Sequence, residues 1–189
     1  RFNTTGYDNI AQGPDALYSN TTGYQNIAQG NNALSSNTTG YDNIAHGYWA
    51  LTSNITGYQN IAQGYQALRS NTTGFNNVAL GYQAGRSVTT GYANILLGSH
   101  ESTANVITTG AGNIGLGNEL YFASATANNQ LNIGNLLFGT LPATTTAFQL
   151  PTSGAIGIGT SSPWANLSVH ANNGSTNTTL FAIGSSTAS

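Results

Sequence analysis

The sequence predicts an all-β chain wound as a parallel β-solenoid, and three observations carry that prediction. A 17-residue phrase recurs along residues 3–84: Asn-Thr-Thr-Gly-Tyr, a polar residue, Asn-Ile-Ala-Gln-Gly, two variable residues, Ala-Leu and a polar join. Two sets of turn glycines keep the same interval, Gly6, Gly23, Gly40, Gly57, Gly74 and Gly91 in one, Gly13, Gly30, Gly47, Gly64, Gly81 and Gly98 in the other. Apolar residues hold one phase across every copy. A period with so little drift marks stacked repeats, in which each unit buries its apolar side only against its neighbours.

Within a single phrase, Thr21 to Asn37, the run after Gly23 reads as extended, with Ile27 alternating against Asn26 and Ala28. Gly30 breaks it, and Ala33-Leu34 is expected to make a second short strand before Ser35-Ser36-Asn37 turns into the next rung. Frequent Gly, with Asn and Thr as poor helix formers, argues against helix. Stacking the rungs gives columns. Ile10, Ile27, Ile44, Ile61, Val78, Ile95, Ile114 and Ile133 are expected to form an interior apolar pillar, and Leu17, Leu34, Leu51 and Leu68 a second one. Gln12, Gln29, His46 and Gln63, then Leu80, Leu97 and Leu116, share the face of the Ile pillar and extend the expected interior, amide-lined first and greasier later. Alanines 11, 28, 45, 62 and 79 point the other way, where small side chains imply a close approach by the opposite strand or by another chain. Tyr7, Tyr24, Tyr41, Tyr58, Phe75 and Tyr92 make an aromatic column.

Three segments follow from the rhythm: 1–98 is the regular roll, 99–140 carries looser rungs of up to 19 residues with loop insertions, and 141–189 is an extended β connector and tail. A degenerate rung in the tail, with Asn177, Leu180, Phe181 and Ile183, is the candidate strand for joining one subunit to the next by strand addition.

Composition excludes several function classes. Only 4% of the 189 residues are charged, the net charge is −2, and there is no Cys, Met or Lys. Arg1, Arg69 and Arg86 cannot neutralise a row of phosphates, so nucleic acid is excluded as a partner. No apolar run reaches the ~18–20 residues that span a bilayer. Without disulfides, stability must come from main-chain pairing and like side chains piled at the ~4.8 Å strand spacing. Because the chain opens at Arg1 inside the phrase, a longer precursor is expected.

The Asn-Val-Ala-Leu-Gly at 77–81 and its siblings resemble the head repeats of trimeric autotransporter adhesins. That resemblance covers residues 3–118 and implies a left-handed parallel β-roll whose chains associate as homotrimers, although the family's repeat is shorter than the 17 residues found here. The phrase Gly157-Ile-Gly-Thr-Ser-Ser-Pro163 is similar to one in phage tail fibres and repetitive bacterial surface proteins. Both resemblances imply an exported, oligomeric fibre at the cell surface.

No catalytic site or cofactor is expected. His46, His100 and His170 share no spacing, and Asp8, Asp15, Asp42, Glu101 and Glu119 are too scattered for paired acid–base work. The Asn-Xaa-Thr sequons at Asn3, Asn20, Asn37, Asn54 and Asn71 are candidate glycosylation sites, against the plainer reading of turn chemistry with a glycine at positive φ. The expected function is a non-catalytic structural subunit of an extracellular filament or adhesin stalk, joined to itself as a homotrimer, a head-to-tail polymer or both, with surface glycans as further partners. A phage tail fibre whose loop in 99–130 contacts a host glycan is the alternative. An ice-binding Thr column at Thr5, Thr22, Thr39, Thr56, Thr73 and Thr90 is a lesser one.

Overall fold

The computed structural model describes residues 3–99 and 106–141, together with the strands Ala155–Ile158 and Leu167–Val169. It is a parallel β-solenoid of about seven turns, all-β and without helix among the described residues. Each regular rung contributes one three-residue strand: β1 Ile10–Gln12, β2 Ile27–Gln29, β3 Ile44–His46, β4 Ile61–Gln63, β5 Val78–Leu80, β6 Ile95–Leu97 and β7 Ile114–Leu116. The register between β1 and β6 is residue for residue, Ile on Ile (Val78 taking its place in β5) and Ala on Ala, giving way to Ala79 on Leu96. β8, Gln130–Ile133, is the last parallel addition to the stack. β9, Leu137–Thr140, folds back antiparallel on it, β10, Ala155–Ile158, pairs antiparallel with β9, and β11, Leu167–Val169, pairs parallel with β10.

The second strand expected at Ala33-Leu34 is instead a turn. Leu17, Leu34, Leu51 and Leu68 adopt φ of 50–52°, a region that costs a bulky L-residue free energy. Burial holds them there: Leu34, Leu51 and Leu68 are wholly enclosed. Even so, the turns pair with their neighbours, as where the Leu17 amide donates to the Ala33 carbonyl (3.1 Å) and the Ser19 amide to Ser35 (2.9 Å). A ladder therefore runs through the turns as well as the strands, and it satisfies backbone groups that a lone coil would leave open.

Side-chain direction overturns the interior assigned to isoleucine. Ala28, Ala45, Ala62 and Ala79 are fully buried, while Ile10 (53% exposed), Ile44, Ile61, Ile95 and Ile133 are exposed and Ile27, Val78 and Ile114 half-buried. The Gln, His and Leu column beside the Ile column shares that outer face, so it is not interior either. The coil is thin. The strand alanine faces the Ala-Leu pair of its own turn, and a larger residue has no room between them.

Rung six shows the constraint by exchanging sizes. Leu96 replaces the strand alanine, and in the rung before it Gly85 replaces the turn leucine. A Cβ on Gly85 would stand 3.0 Å from both Leu68 Cδ2 and Leu96 Cδ1. One rung on, Gly115 sits inward and Leu120 and Phe122 fill the space. Ile133 is also displaced from its expected column: β7 pairs Ile114 with Leu131 and Leu116 with Ile133, so Leu131 continues the Ile row.

Candidate functional site

Two interior asparagine ladders, which the sequence reading passed over, fix the geometry of every outward surface. In the first, the Asn43 side-chain amide donates to Asn26 Oδ1 (3.0 Å) and to the Gly57 carbonyl (2.9 Å). Its own Oδ1 accepts from the Asn60 backbone amide (3.1 Å) and Nδ2 (3.0 Å). The same links run through Asn77, Asn94 and Asn113, all fully buried. The signal was present in the unvarying Asn ahead of each strand.

The second ladder is built from the sequons. Asn37 Nδ2 donates to Asn20 Oδ1 (2.8 Å) and to the Gly40 carbonyl (3.0 Å), and Asn54 and Asn71 repeat the pair. Both amide hydrogens are committed and these side chains are buried, so a folded rung cannot carry a glycan on Asn20, Asn37, Asn54 or Asn71; Asn3, on the first rung, is exposed. The nearby Gly23 does not have the expected positive φ. It is glycine because a Cβ there would collide with the Gly40 carbonyl and the Asn20 amide. The ladder stops where Val88 takes the asparagine position, leaving Asn71 Oδ1 buried without a partner.

These ladders lock three outward surfaces. The first is the strand face: the Ile row beside the Gln-His-Leu row over eight parallel strands, roughly 34 Å long at ~4.8 Å per rung. It is polar at Gln12, Gln29, His46 and Gln63, with Gln29 Nε2 donating to Gln12 Oε1 (3.3 Å), and apolar from Leu80 through Leu97 and Leu116 to Ile133. The second is a corner where Tyr7, Tyr24, Tyr41, Tyr58, Phe75 and Tyr92 stack with centroids 4.8–5.0 Å apart and planes within 7°. Burial, then the phenols of Tyr41 and Tyr7 and the Asp42 carboxylate, raise the Tyr24 phenol above its ordinary value.

Threonines lie beside that corner. The Thr38 carbonyl collects the amides of Thr21, Thr22 and Gly23 and the Thr21 hydroxyl (2.9 Å). Thr5, Thr22, Thr39, Thr56, Thr73 and Thr90 point to solvent from a bend, as a single rank rather than a flat two-rank strand.

The third surface is the turn wall, across the core from the strands. Here the rungs differ: Pro14, Asn31, Tyr48, Tyr65 and Tyr82 form one column, Asp15, Asn32, Trp49, Gln66 and Gln83 the next, and Tyr18, Ser35, Thr52, Arg69 and Arg86 a third. Tyr48, Tyr65 and Tyr82 stack at 5.6 and 5.1 Å. The Arg69 guanidinium lies 4.7 Å from the Trp49 ring centroid.

Among the described residues, no three of His, Cys, Asp and Glu come together to hold a metal, and no helix is long and apolar enough to cross a membrane. His46 stands on the strand face. His100, His170, Glu101 and the candidate joining residues Asn177, Leu180, Phe181 and Ile183 lie outside the described residues. No family model matches the chain, and neither a curated protein nor a solved structure matches it.

Proposed function

We propose that the chain is a non-catalytic structural subunit of an extracellular fibre, and that its strand face is the surface by which copies associate. The observation that carries this reading is the uncovered side of the parallel sheet. Parallel sheets are almost always buried on both faces, yet here Ile44, Ile61, Leu80 and Ile95 form one exposed strip. An apolar strip of this length marks an interaction surface. Its β-branched row, repeated at nearly every level as Ile or Val, suits a second copy in register better than a globular partner. Three strips meeting about an axis would also fit the resemblance to adhesin head repeats.

Replacing Ile44, Ile61 and Ile95 together by Ser tests the assignment, because none of them packs inside the coil. The natural chain should sediment as an oligomer at micromolar concentration, and the triple variant as a folded monomer with an unchanged β spectrum. A natural chain that is monomeric, or a variant that assembles equally well, would refute it.

End-to-end joining belongs to the same proposal, in which the segment with Asn177, Leu180, Phe181 and Ile183, outside the described residues, would add to a neighbouring subunit. Removing residues 177–189 should leave the lateral oligomer intact and abolish long filaments in electron micrographs. Filaments of undiminished length would remove that part of the reading.

A further inference from the structure

The turn wall of the middle rungs holds an arrangement that rod-building does not need. The inward Ala, Leu and Asn columns barely change from rung to rung, while this outward wall gathers Tyr48, Tyr65, Tyr82, Trp49, Arg69 and Arg86 within consecutive turns. Two of the chain's three arginines stand there, one rung apart. Neutral neighbours set their position: Arg69 lies over the Trp49 ring, and Arg86 Nη1 donates to Gln83 Oε1 (3.1 Å). Gln83 is buried and also bonds Gln66 Oε1 (3.3 Å) and the Tyr82 hydroxyl (3.4 Å). Each guanidinium uses only part of its fan of five donors in these contacts, so further N–H groups remain for an anion.

We propose that this wall binds an acidic polysaccharide of the uronate class, laid along the solenoid axis. Its carboxylates would meet Arg69 and Arg86, and its hydroxyls and ring edges would meet the tyrosines and Trp49. Charge chooses the sign of the partner: two fixed guanidiniums on a chain with so few charges favour carboxylates, which arginine takes in bidentate fashion. Backbone pairing argues against an added peptide strand. The Gln66 amide already donates to Tyr48 (2.8 Å), Gln83 to Tyr65 (2.7 Å) and Ser70 to Arg86 (3.1 Å), so recognition must be by side chains. Two cations are also too few for a phosphate backbone. The inference rests on the fibre reading in one respect only: copies joined through the strand face leave the opposite wall outward.

The test uses immobilised polygalacturonate, with neutral dextran as control, and sedimentation of the same samples to report assembly. The natural chain should be retained on polygalacturonate at low salt and released by added salt, and should pass through dextran. Arg69→Gln with Arg86→Gln should weaken retention about tenfold or more, as expected for two charge-assisted contacts, with assembly unchanged. Adding Asp8→Asn and Asp42→Asn returns the formal net charge to −2 and should not restore binding. If the paired substitution disturbs the β spectrum, Arg86→Gln alone gives the same comparison. Failure of the natural chain to bind, equal retention on dextran, undiminished binding of the arginine variants, or recovery through the aspartate changes would each overturn the proposal. Binding that persists in a monomeric chain would refute the fibre reading and leave this one standing.

Discussion

Replacing Asn43 by Asp changes a single amide group for its near-isostere and reverses the hydrogen-bond logic of the first ladder. The Asn43 Nδ2 lies 3.0 Å from Asn26 Oδ1 and 2.9 Å from the Gly57 carbonyl, two acceptors that cannot donate in return. A carboxylate oxygen in its place would face both of them at a fully buried position. Burial and facing acceptors raise an acid's pKa by up to ~3–5 units, and at ~1.36 kcal/mol per unit the ionised form costs about 4–7 kcal/mol. Because the folded-state value is raised, the unfolded chain loses its proton first. Stability therefore falls as pH rises from the unfolded value of about 3.9 through the raised folded one, and the deficit is smallest at about pH 3.

Asn43→Ala calibrates the measurement. It strands the buried Asn60 backbone amide, worth ~1–3 kcal/mol, and removes three side-chain bonds at ~1 kcal/mol each, about 4–6 kcal/mol in all and independent of pH. Urea unfolding of the three chains, followed by far-UV circular dichroism at both ends of that pH range, reads the comparison. An aspartate variant as stable as the natural chain at neutral pH, or one whose deficit does not shrink in acid, would refute the ladder's role.

Ala62→Leu should destabilise by ~1–3 kcal/mol through overpacking, whereas the outward Ile61→Ser should leave the coil's own melting unchanged; thermal scans of assembly-deficient protein separate the two. Leu96→Ala should cost ~2–5 kcal/mol, and adding Gly85→Leu should recover much of it by restoring the pairing of large turn residue with small strand residue. Additive losses in that double-mutant cycle would show that the two positions do not share one space. Above about pH 10, stability should fall as the unfolded chain's tyrosines ionise before Tyr24, whose phenol is held raised. A spectrophotometric titration in which Tyr24→Phe melts no differently in alkali would dispose of this.

The period alone made the architecture legible, because a seventeen-residue phrase without drift admits few solutions other than stacked coils. What it did not reveal was which side of the strand faces in. Alternation says that Ile27 and Ala28 point opposite ways, and hydrophobicity then favours the larger residue for the interior. The width of the coil decides otherwise, and that width is set by the turn Ala33-Leu34 opposite. The reading of Ala33-Leu34 as a strand failed for the same reason: leucine at positive φ is too costly to expect from local sequence, and it occurs only because the core encloses it. The sequons misled because Asn-Thr-Thr describes a surface corner equally well. Only the ladder bonds from Asn20 to Asn37 to Asn54 turn that asparagine inward. The strand face and the Trp49–Arg69 wall were visible as residues but not as surfaces, since membership in a surface depends on which neighbours in the next rung share the direction.

Cross-rung bonds in the regular region recur between the same two phrase positions one rung later, as the Asn43-to-Asn26 amide bond recurs from Asn60 to Asn43 and the Ile10 amide to Asn26 recurs from the Ile27 amide to Asn43. A gene that gains or loses one whole copy therefore yields a protein whose seams still match, longer or shorter by about one strand spacing of ~4.8 Å. Reach becomes adjustable by recombination between near-identical stretches of DNA, with no new contact to invent. A change of any other size keeps the register only where the rung absorbs the difference, as it does between Ile95 and Ile114, which pair across 19 residues.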